Sequence, residues 1–256
     1  MILDDIIAKT KIRVRAAKER IPLNGVIAAA ARTGTRDFFA ALKKPGLSFI
    51  CEVKKASPSK GVISADFKPV EIAREYEAGG ADAVSVLTEP DFFMGANGHL
   101  TDVASAVRLP VLRKDFIIDE YQIYEARAIG ADAVLLICAA LDARTLKDLI
   151  GAAHASGMSA LVETRSESEI ETALKAGARI IGVNNRDLTS FAVDKTLSLK
   201  LRRLVPKEIP FVSESGISAK EDILALEEGG ADAVLVGEAL MRAKSVLAAL
   251  TGLRGV

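Results

Sequence analysis

The sequence predicts an α/β protein, a closed (β/α)₈ TIM barrel with an N-terminal helical extension. A Gly-Ala-Asp-Ala-Val phrase recurs along the chain, and eight short apolar runs alternate with helix-like stretches at intervals of roughly 20 to 35 residues. Eight strand–helix units of this kind close into a barrel. A doubly wound open sheet fits less well, because no Gly-rich dinucleotide fingerprint follows the first strand.

The composition excludes several classes of protein. The chain has 256 residues, half of them hydrophobic, and 34 Lys plus Arg balance 34 Asp plus Glu, so the basic excess of a nucleic-acid-binding protein is missing. Only Cys51 and Cys138 are present, which excludes a disulfide framework and favours a reducing compartment. The longest apolar run, Ala133 to Leu141, is far too short to span a membrane. We therefore expect a cytoplasmic protein with neither nucleic-acid nor membrane partners.

The repeated phrase marks helix ends and strand starts. It occupies residues 79–84, 130–134 and 229–234, with a weaker copy at 176–181. Glycine suits the left-handed position that follows a helix, and the apolar residues after it suit a strand buried on both faces. The predicted strands are Ser48–Lys54, Ala83–Thr88, Val111–Lys114, Ala133–Ile137, Ala160–Glu163, Ile180–Asn184, Phe211–Ser215 and Ala233–Gly237. The helical patterns between them are Pro69–Ala78, Asp119–Ile129, Ala143–Ser156, Glu167–Ala176, Thr196–Leu204 and Lys220–Glu228.

Residues 1–46 precede the first strand. They contain an amphipathic helix at about Leu3–Arg20 and a second short helix around Thr35–Leu42. No linker divides the chain, so we expect residues 1–256 to form a single barrel domain, with residues 1–46 as an N-terminal helical cap.

Strand alternation directs polar side chains into the barrel. If Phe49, Cys51 and Val53 face the helices, then Glu52 and Lys54 face the interior. The same reasoning points Lys114, Glu163 and Asn184 inward from three other strands. All of them lie at the carboxyl ends of their strands, where barrel enzymes carry their active sites. A structural ion-pair network is the alternative for any single residue, and it explains the convergence of the set less well.

The last two strands end in residues that suit a phosphate. Strand seven ends in Ser213-Glu214-Ser215-Gly216, and strand eight ends in Gly237-Glu238. Loops of this kind present backbone N–H groups to an anion. The residues therefore predict a small phosphorylated metabolite as substrate.

Several motifs, in order along the chain, resemble the indole-3-glycerol phosphate synthase family. The most specific is Glu52-Val-Lys54-Lys-Ala-Ser57-Pro-Ser-Lys60-Gly61. The others are Val86-Leu-Thr-Glu89, Phe92-Phe93, Leu112-Arg-Lys114-Asp115-Phe116-Ile117, Leu161-Val-Glu163, Gly182-Val-Asn184-Asn-Arg186-Asp187-Leu188 and Ser213-Glu214-Ser215-Gly216-Ile217. The resemblance implies conversion of 1-(2-carboxyphenylamino)-1-deoxyribulose 5-phosphate into indole-3-glycerol phosphate, carbon dioxide and water, without cofactor or metal. It also implies a place in tryptophan biosynthesis, which is compatible with weak contacts with other enzymes of that pathway.

The resemblance also implies roles for the candidate catalytic residues. Lys114 resembles the general acid that protonates the substrate ketone, and Glu163 the group that moves the proton in the final dehydration. Lys54 resembles a second cation that binds the substrate, and sharing the role of general acid between Lys54 and Lys114 stays open at this point. Glu52 and Asn184 would position these groups, and Ser215 completes the set. We expect a partly desolvated, cation-rich pocket to lower the pKa of Lys114.

The remaining candidates would bind the substrate. Phe93 and Phe116 match the aromatic residues of the anthranilate pocket, and Arg186 would hold the anthranilate carboxylate. Ser57, Ser215, Gly216 and Gly237 belong to the phosphate side, and Glu214 is a further substrate-binding candidate. Lys55 and Lys60 are loop cations that would steer the anion. Glu238 stands where some family members have Ser. Its carboxylate would repel a phosphate unless the side chain turns away, so only its backbone is expected to serve there.

Two alternative functions fit the sequence less well. A related sugar isomerase, such as phosphoribosylanthranilate isomerase, pairs a Cys or Asp base with an Asp acid, whereas the first strand here offers Glu52 and Lys54. A catalytically inactive barrel that only binds phosphorylated ligands predicts loss of Lys54, Lys114 or Glu163, and all three are present.

Overall fold

The computed structural model describes residues 2–31 and 34–255 of the chain. Eight parallel strands form a closed barrel in which each strand pairs with its neighbours in sequence and the last pairs with the first. This confirms the predicted (β/α)₈ barrel. The strands are β1 Ser48–Val53, β2 Ala83–Leu87, β3 Val111–Lys114, β4 Ala133–Ile137, β5 Ser159–Thr164, β6 Ile180–Asn184, β7 Phe211–Glu214 and β8 Ala233–Val236.

The helices lie outside the barrel or at its two ends. They are α1 Ile2–Arg20, α2 Leu23–Ala30, α3 Phe38–Ala41, α4 Pro69–Ala78, α5 Pro90–Phe93, α6 Asn97–Ala106, α7 Glu120–Ala128, α8 Ala143–Ala155, α9 Glu167–Lys175, α10 Leu197–Arg202, α11 Lys220–Glu228, α12 Glu238–Met241 and α13 Val246–Arg254. A short hairpin, Ala56–Ser57 with Gly61–Val62, follows β1, and a 3₁₀ turn, Cys138–Ala140, follows β4. Within the described ranges, no helix combines the length and the apolar character needed to cross a bilayer.

The sequence located the strands to within one residue at each end, but it missed part of the helical structure. The second N-terminal helix spans only Phe38–Ala41, because the Asp37 side chain accepts the Ala40 N–H and starts the helix there. Helix α2 was not predicted, since Asn24 and Gly25 are poor helix formers and obscure its pattern. Its partner in the fold is α7, so tertiary packing stabilises it.

Strand alternation separates two cores. Phe49, Cys51 and Val53 pack in the outer core between strands and helices, whereas Ile50 belongs to the inner core of the barrel. This confirms the predicted alternation of β1, in which Phe49, Cys51 and Val53 face the helices and their neighbours face the barrel interior. The inner core is mostly apolar in its lower layers, and the acidic, basic and amide side chains that point inward lie in the last two residues of their strands: Glu52, Lys114, Glu163, Asn184 and Glu214.

The N-terminal segment contacts both ends of the barrel. Phe38 of α3 and Leu42 are buried in the inner core, and Ser48 Oγ donates to the Ala41 carbonyl, which places α3 at the amino ends of the strands. At the opposite end, Ile6 of α1 is buried in the same core. The segment therefore closes the floor of the barrel and covers part of its mouth.

The repeated Gly-Ala-Asp phrase joins neighbouring strands at the floor. In the three full copies Asp82, Asp132 and Asp232 precede β2, β4 and β8, and each carboxylate accepts a backbone N–H from the start of the preceding strand. The donors are Phe49, Val111 and Phe211, at 2.9, 2.8 and 2.8 Å respectively. The glycines before them, Gly80, Gly130 and Gly230, have positive φ angles, as the sequence predicted.

We expect Asp132→Ala to lower the free energy of unfolding by about 3 kcal/mol. The Asp132 side chain is 1 % exposed and accepts the Val111 N–H, the Arg36 N–H and the Arg36 guanidinium at 2.7 to 2.8 Å. Its loss leaves these donors without their acceptor. Urea unfolding measures the change. Asp148→Ala, which removes an exposed carboxylate, should stay within about 0.5 kcal/mol of wild type, and equal losses in the two variants would contradict the assigned role.

Candidate active site

A cavity of about 620 Å³ opens at the carboxyl ends of the strands. All fourteen predicted site residues line it: Glu52, Lys54, Ser57, Phe93, Lys114, Phe116, Glu163, Asn184, Arg186, Glu214, Ser215, Gly216, Gly237 and Glu238. These residues come from distant parts of the chain, and the barrel brings them together because its parallel strands all end on one face.

Lys114 lies at the centre of a buried cluster of carboxylates. Its Nζ is 3.6 Å from Glu163 Oε2 and 3.7 Å from Glu214 Oε2. The three side chains lie at the ends of β3, β5 and β7. Those of Glu163 and Glu214 are almost completely shielded from solvent, and that of Lys114 is 15% exposed. The arrangement places one ammonium group between two carboxylates at the bottom of the cavity.

The expectation of a lowered pKa for Lys114 is wrong. Burial acts to lower this pKa, but the nearby carboxylates of Glu214, Glu163 and Glu52 outweigh burial and raise the pKa above its usual value. Lys114 is therefore fully protonated at neutral pH. It holds the proton that a general acid needs, and it releases that proton only to a group that becomes strongly basic, such as a developing alkoxide.

The pKa of Glu214 lies well above that of an ordinary carboxyl group. Burial raises its pKa to about 8; the Lys114 ammonium opposes this effect, and the Glu163 and Glu52 carboxylates add to it. Oε1 of Glu214 is buried without a hydrogen-bond partner in the described structure. Glu214 therefore stays neutral to a higher pH than an ordinary carboxyl group, and its ionised form is the one that contributes to the raised pKa of Lys114.

The raised pKa of Glu214 predicts a pH-dependent stability. The unfolded chain releases this proton near pH 4.5, whereas the folded protein keeps it until about pH 8. The folded state binds the extra proton between these values, so the free energy of unfolding falls as pH rises through the range. We expect Glu214→Gln to flatten this decline in thermal melts. Glu221→Gln, at an exposed position on α11, should keep the wild-type slope; an unchanged slope in Glu214→Gln would contradict the prediction.

Two glycines make room for buried carboxylates. A Cβ atom on Gly182 of β6 would lie 2.5 Å from Glu214 Oε1, and one on Gly237 would collide with the Glu52 carboxylate. The missing side chains therefore let Glu214 and Glu52 fold against the barrel wall. Glu52 in turn holds Lys54, whose Nζ is 2.5 Å from its Oε1. Burial acts to raise the pKa of Glu52, but Lys54 and Lys114 together lower it.

Hydrogen bonds from two asparagine side chains to backbone groups fix the loops after β6 and β7. Asn184 Oδ1 accepts the Arg186 N–H at 3.0 Å, and Asn185 Nδ2 donates to the Ser215 carbonyl at 3.1 Å. Ser215 and Gly216 both have left-handed φ angles, +67° and +82°. This turn brings the backbone of both residues to the cavity wall, as expected for a loop that receives an anion.

Phe93 and Phe116 form one wall of the cavity, with ring centroids 6.1 Å apart. Buried carboxylates position both residues. Glu89 accepts the N–H groups of Phe92 and Phe93 at the start of α5, and Asp115 accepts the Phe116 N–H at 2.8 Å. The wall is therefore held by hydrogen bonds as well as by packing.

Glu238 does not turn away from the cavity. Its Oε2 lies 3.2 Å from Arg186 Nη2, so Arg186 faces a carboxylate of this chain. Lys60 and Arg242 approach the same side chain, at 3.7 and 3.3 Å. Lys60, predicted to be a loop cation, lines the cavity.

Sequence reasoning missed two contributions to the site. Ile2, Leu3 and Ile6 of α1 line the cavity, as does Arg242. The amphipathic pattern of α1 showed that one of its faces is buried, but nothing in it indicates the partner surface. Arg242 follows Glu238 by one helical turn, and that spacing was an available signal.

Comparison with known proteins shows close similarity over almost the whole chain. The family model described as indole-3-glycerol phosphate synthase matches residues 3–253. A protein of that name from Ruminiclostridium cellulolyticum is 55% identical over 258 residues, covering 100% of this chain and 99% of its own. Another of that name, from Endomicrobium trichonymphae, is 56% identical over 257 residues, covering 99% and 100%.

Solved structures support the architecture. A crystal structure of 3-hexulose-6-phosphate synthase matches with a TM-score of 0.65 at 19% identity, covering 82% of this chain and 99% of that one. A thiamine phosphate pyrophosphorylase from Pyrococcus furiosus matches with a TM-score of 0.60 at 21% identity, covering 82% and 94%. At these identities the likeness concerns the fold alone.

Proposed function

The chain belongs to the indole-3-glycerol phosphate synthase family, and from this premise we propose how its own residues divide the reaction among them. The reaction is the ring closure, with decarboxylation and dehydration, of 1-(2-carboxyphenylamino)-1-deoxyribulose 5-phosphate to indole-3-glycerol phosphate, a step of tryptophan biosynthesis. The protein is accordingly a carboxy-lyase that acts on a small phosphorylated substrate.

One observation carries the assignment of roles: the Lys114 ammonium lies between Glu163 and Glu214 at the bottom of the cavity. In the first step the ring carbon that bears the carboxylate attacks the ketone carbon, and a carbon–carbon bond forms. Negative charge develops on the ketone oxygen, and Lys114 gives it a proton to form a hydroxyl group. The raised pKa of Lys114 ensures that this proton is present beforehand.

The later steps restore aromaticity and remove water. The bond to the carboxylate breaks, carbon dioxide leaves, and its electron pair returns to the ring. The bond from the former ketone carbon to the new hydroxyl then breaks, and the hydroxyl leaves as water after taking up a proton. The adjacent CH₂ carbon, which is bound to nitrogen, loses a proton, and its electron pair forms the ring double bond; we assign this proton transfer from carbon to the leaving hydroxyl to Glu163. Its position 3.6 Å from Lys114 lets the two groups act on the same carbon centre.

The substrate must be held at both ends so that the reacting carbons stay in contact. We assign the anthranilate ring to the wall formed by Phe93 and Phe116, and its carboxylate to Arg186 and Lys54. Ser57, Ser215, Gly216 and Gly237 would receive the phosphate, and Glu52 and Asn184 would orient Lys54 and the Arg186 loop.

The assignment is tested by adding the carboxyphenylamino-deoxyribulose phosphate to purified protein and following indole fluorescence. We expect product to form in the presence of a chelator. Absence of fluorescence in chelator-free buffer at several enzyme concentrations would overturn the assigned reaction.

We extend the proposal to the cellular compartment, the domain organisation and the partners of the enzyme. We place it in the cytoplasm, which the two free, buried cysteines, Cys51 and Cys138, support. We also propose that residues 1–256 unfold as one domain and that contacts with other pathway enzymes are weak.

A further inference from the structure

Glu238 is a carboxylate in a place where the proposed function puts a substrate anion. It follows Gly237 directly, and Gly237 and Gly216 line the same cavity. Its side chain is surrounded by positive charge: Arg186 Nη2 is 3.2 Å from Oε2, Arg242 Nε is 3.3 Å from Oε1 and Lys60 Nζ is 3.7 Å from Oε1. These cations come from three parts of the chain, the hairpin after β1, the loop after β6 and the segment after β8.

We propose that Glu238 is an internal counter-ion that gathers Lys60, Arg186 and Arg242 and gives them up to an anionic group of the substrate. The inference rests on the proposed function, which supplies the anion. A phosphate or carboxylate brought to these cations carries the same sign of charge as Glu238. The two anions repel each other, so the Glu238 side chain moves aside as the substrate binds.

The surroundings of Glu238 allow this exchange. Its side chain is 30% exposed and belongs to α12, a helix of four residues, so it reaches solvent without crossing a packed core. Arg186 keeps a second acceptor, the Phe191 carbonyl at 3.4 Å, when the carboxylate leaves. Substrate binding therefore exchanges one set of partly exposed ion pairs for another. Before the substrate binds, Glu238 holds three loops together; when it binds, Glu238 competes with it for the cations and so weakens its binding.

The test measures anion affinity in Glu238→Gln, which keeps the shape of the side chain and removes its charge. We expect calorimetry to show about threefold to tenfold tighter binding of inorganic phosphate, of anthranilate, or of both, because three partly exposed ion pairs no longer compete. The ligand whose affinity rises identifies which end of the substrate displaces Glu238. The KM for the substrate should fall more than kcat changes, and Glu238→Ser should tighten the same ligand.

Glu167→Gln is the matched control. Glu167 pairs with Arg203 at 3.4 Å on the outer surface of the barrel, so its loss changes the net charge equally and should leave both affinities unchanged. Unchanged or weaker binding of both ligands in Glu238→Gln and Glu238→Ser would overturn the proposal, because Glu238 would then only orient Arg186. Failure of the wild-type protein to make indole product would instead refute the proposed function, and the phosphate titration would still decide the role of Glu238.

Discussion

Replacing Lys114 by Met should lower kcat about a thousandfold, the largest loss expected from any single change in this chain. Met has a similar length and no charge, so the cavity keeps its shape while the proton donor is lost. Glu163 and Glu214 would then face each other without the intervening ammonium, and circular dichroism should confirm that the barrel stays folded. The measurement is steady-state indole fluorescence with the phosphorylated substrate.

Two further variants sharpen this result. Lys114→Arg keeps a positive charge that does not give up its proton, so it should be nearly as inactive as Lys114→Met if proton donation is the role of Lys114. Lys175→Met, which removes a lysine paired with Glu171 on the exposed side of α9, should turn over normally. Substantial recovery of rate in Lys114→Arg would show that charge alone suffices, and near-normal rate in Lys114→Met would refute the assigned chemistry.

Glu163→Gln should lower the rate of indole formation about a hundredfold or more, because the amide accepts no proton in the final dehydration. The assigned order of steps makes a more specific prediction. In a single turnover, carbon dioxide should still be released, since ring closure and decarboxylation precede the step that needs Glu163. Measuring carbon dioxide and indole fluorescence on the same sample therefore separates the two halves of the reaction.

Glu171→Gln provides the comparison, because its carboxylate lies on the outer surface and pairs with Lys175 at 2.6 Å. Both signals should match wild type in that variant. Equal slowing of carbon dioxide and indole in Glu163→Gln would place Glu163 before decarboxylation and would contradict the assigned role.

The positions of the site residues followed from two local regularities. Alternation along β1 placed Glu52 and Lys54 inside the barrel, and the regular strand–helix spacing placed the ends of the strands on one face. Both rules depend only on backbone geometry, so a single sequence is sufficient to apply them. The strand boundaries are predictable for the same reason, since continuous apolar runs bounded by Gly and Asp define them.

The electrostatics of the site were not predictable in the same way. The sign of the Lys114 pKa shift depends on its distances from Glu214, Glu163 and Glu52, which lie on three other strands. The sequence suggested a pocket rich in cations, whereas carboxylates surround this lysine. The position of α1 over the mouth depends likewise on distant contacts. The side chain of Glu238 faces the cavity, where Lys60 and Arg186 from other segments and Arg242 from its own segment surround it.

The aspartates at the floor divide the barrel into units that could be separated. Asp82, Asp132 and Asp232 each connect an even-numbered strand to the odd-numbered strand before it, so every one of these contacts lies within a β1–β2, β3–β4 or β7–β8 pair. A polypeptide cut between β2 and β3, or between β4 and β5, leaves each of these three strand-to-strand contacts within a single fragment. These are the positions at which circular permutation or reassembly from two expressed halves should succeed, whereas a cut between β3 and β4 removes a covalent constraint from the strand pair that Asp132 joins.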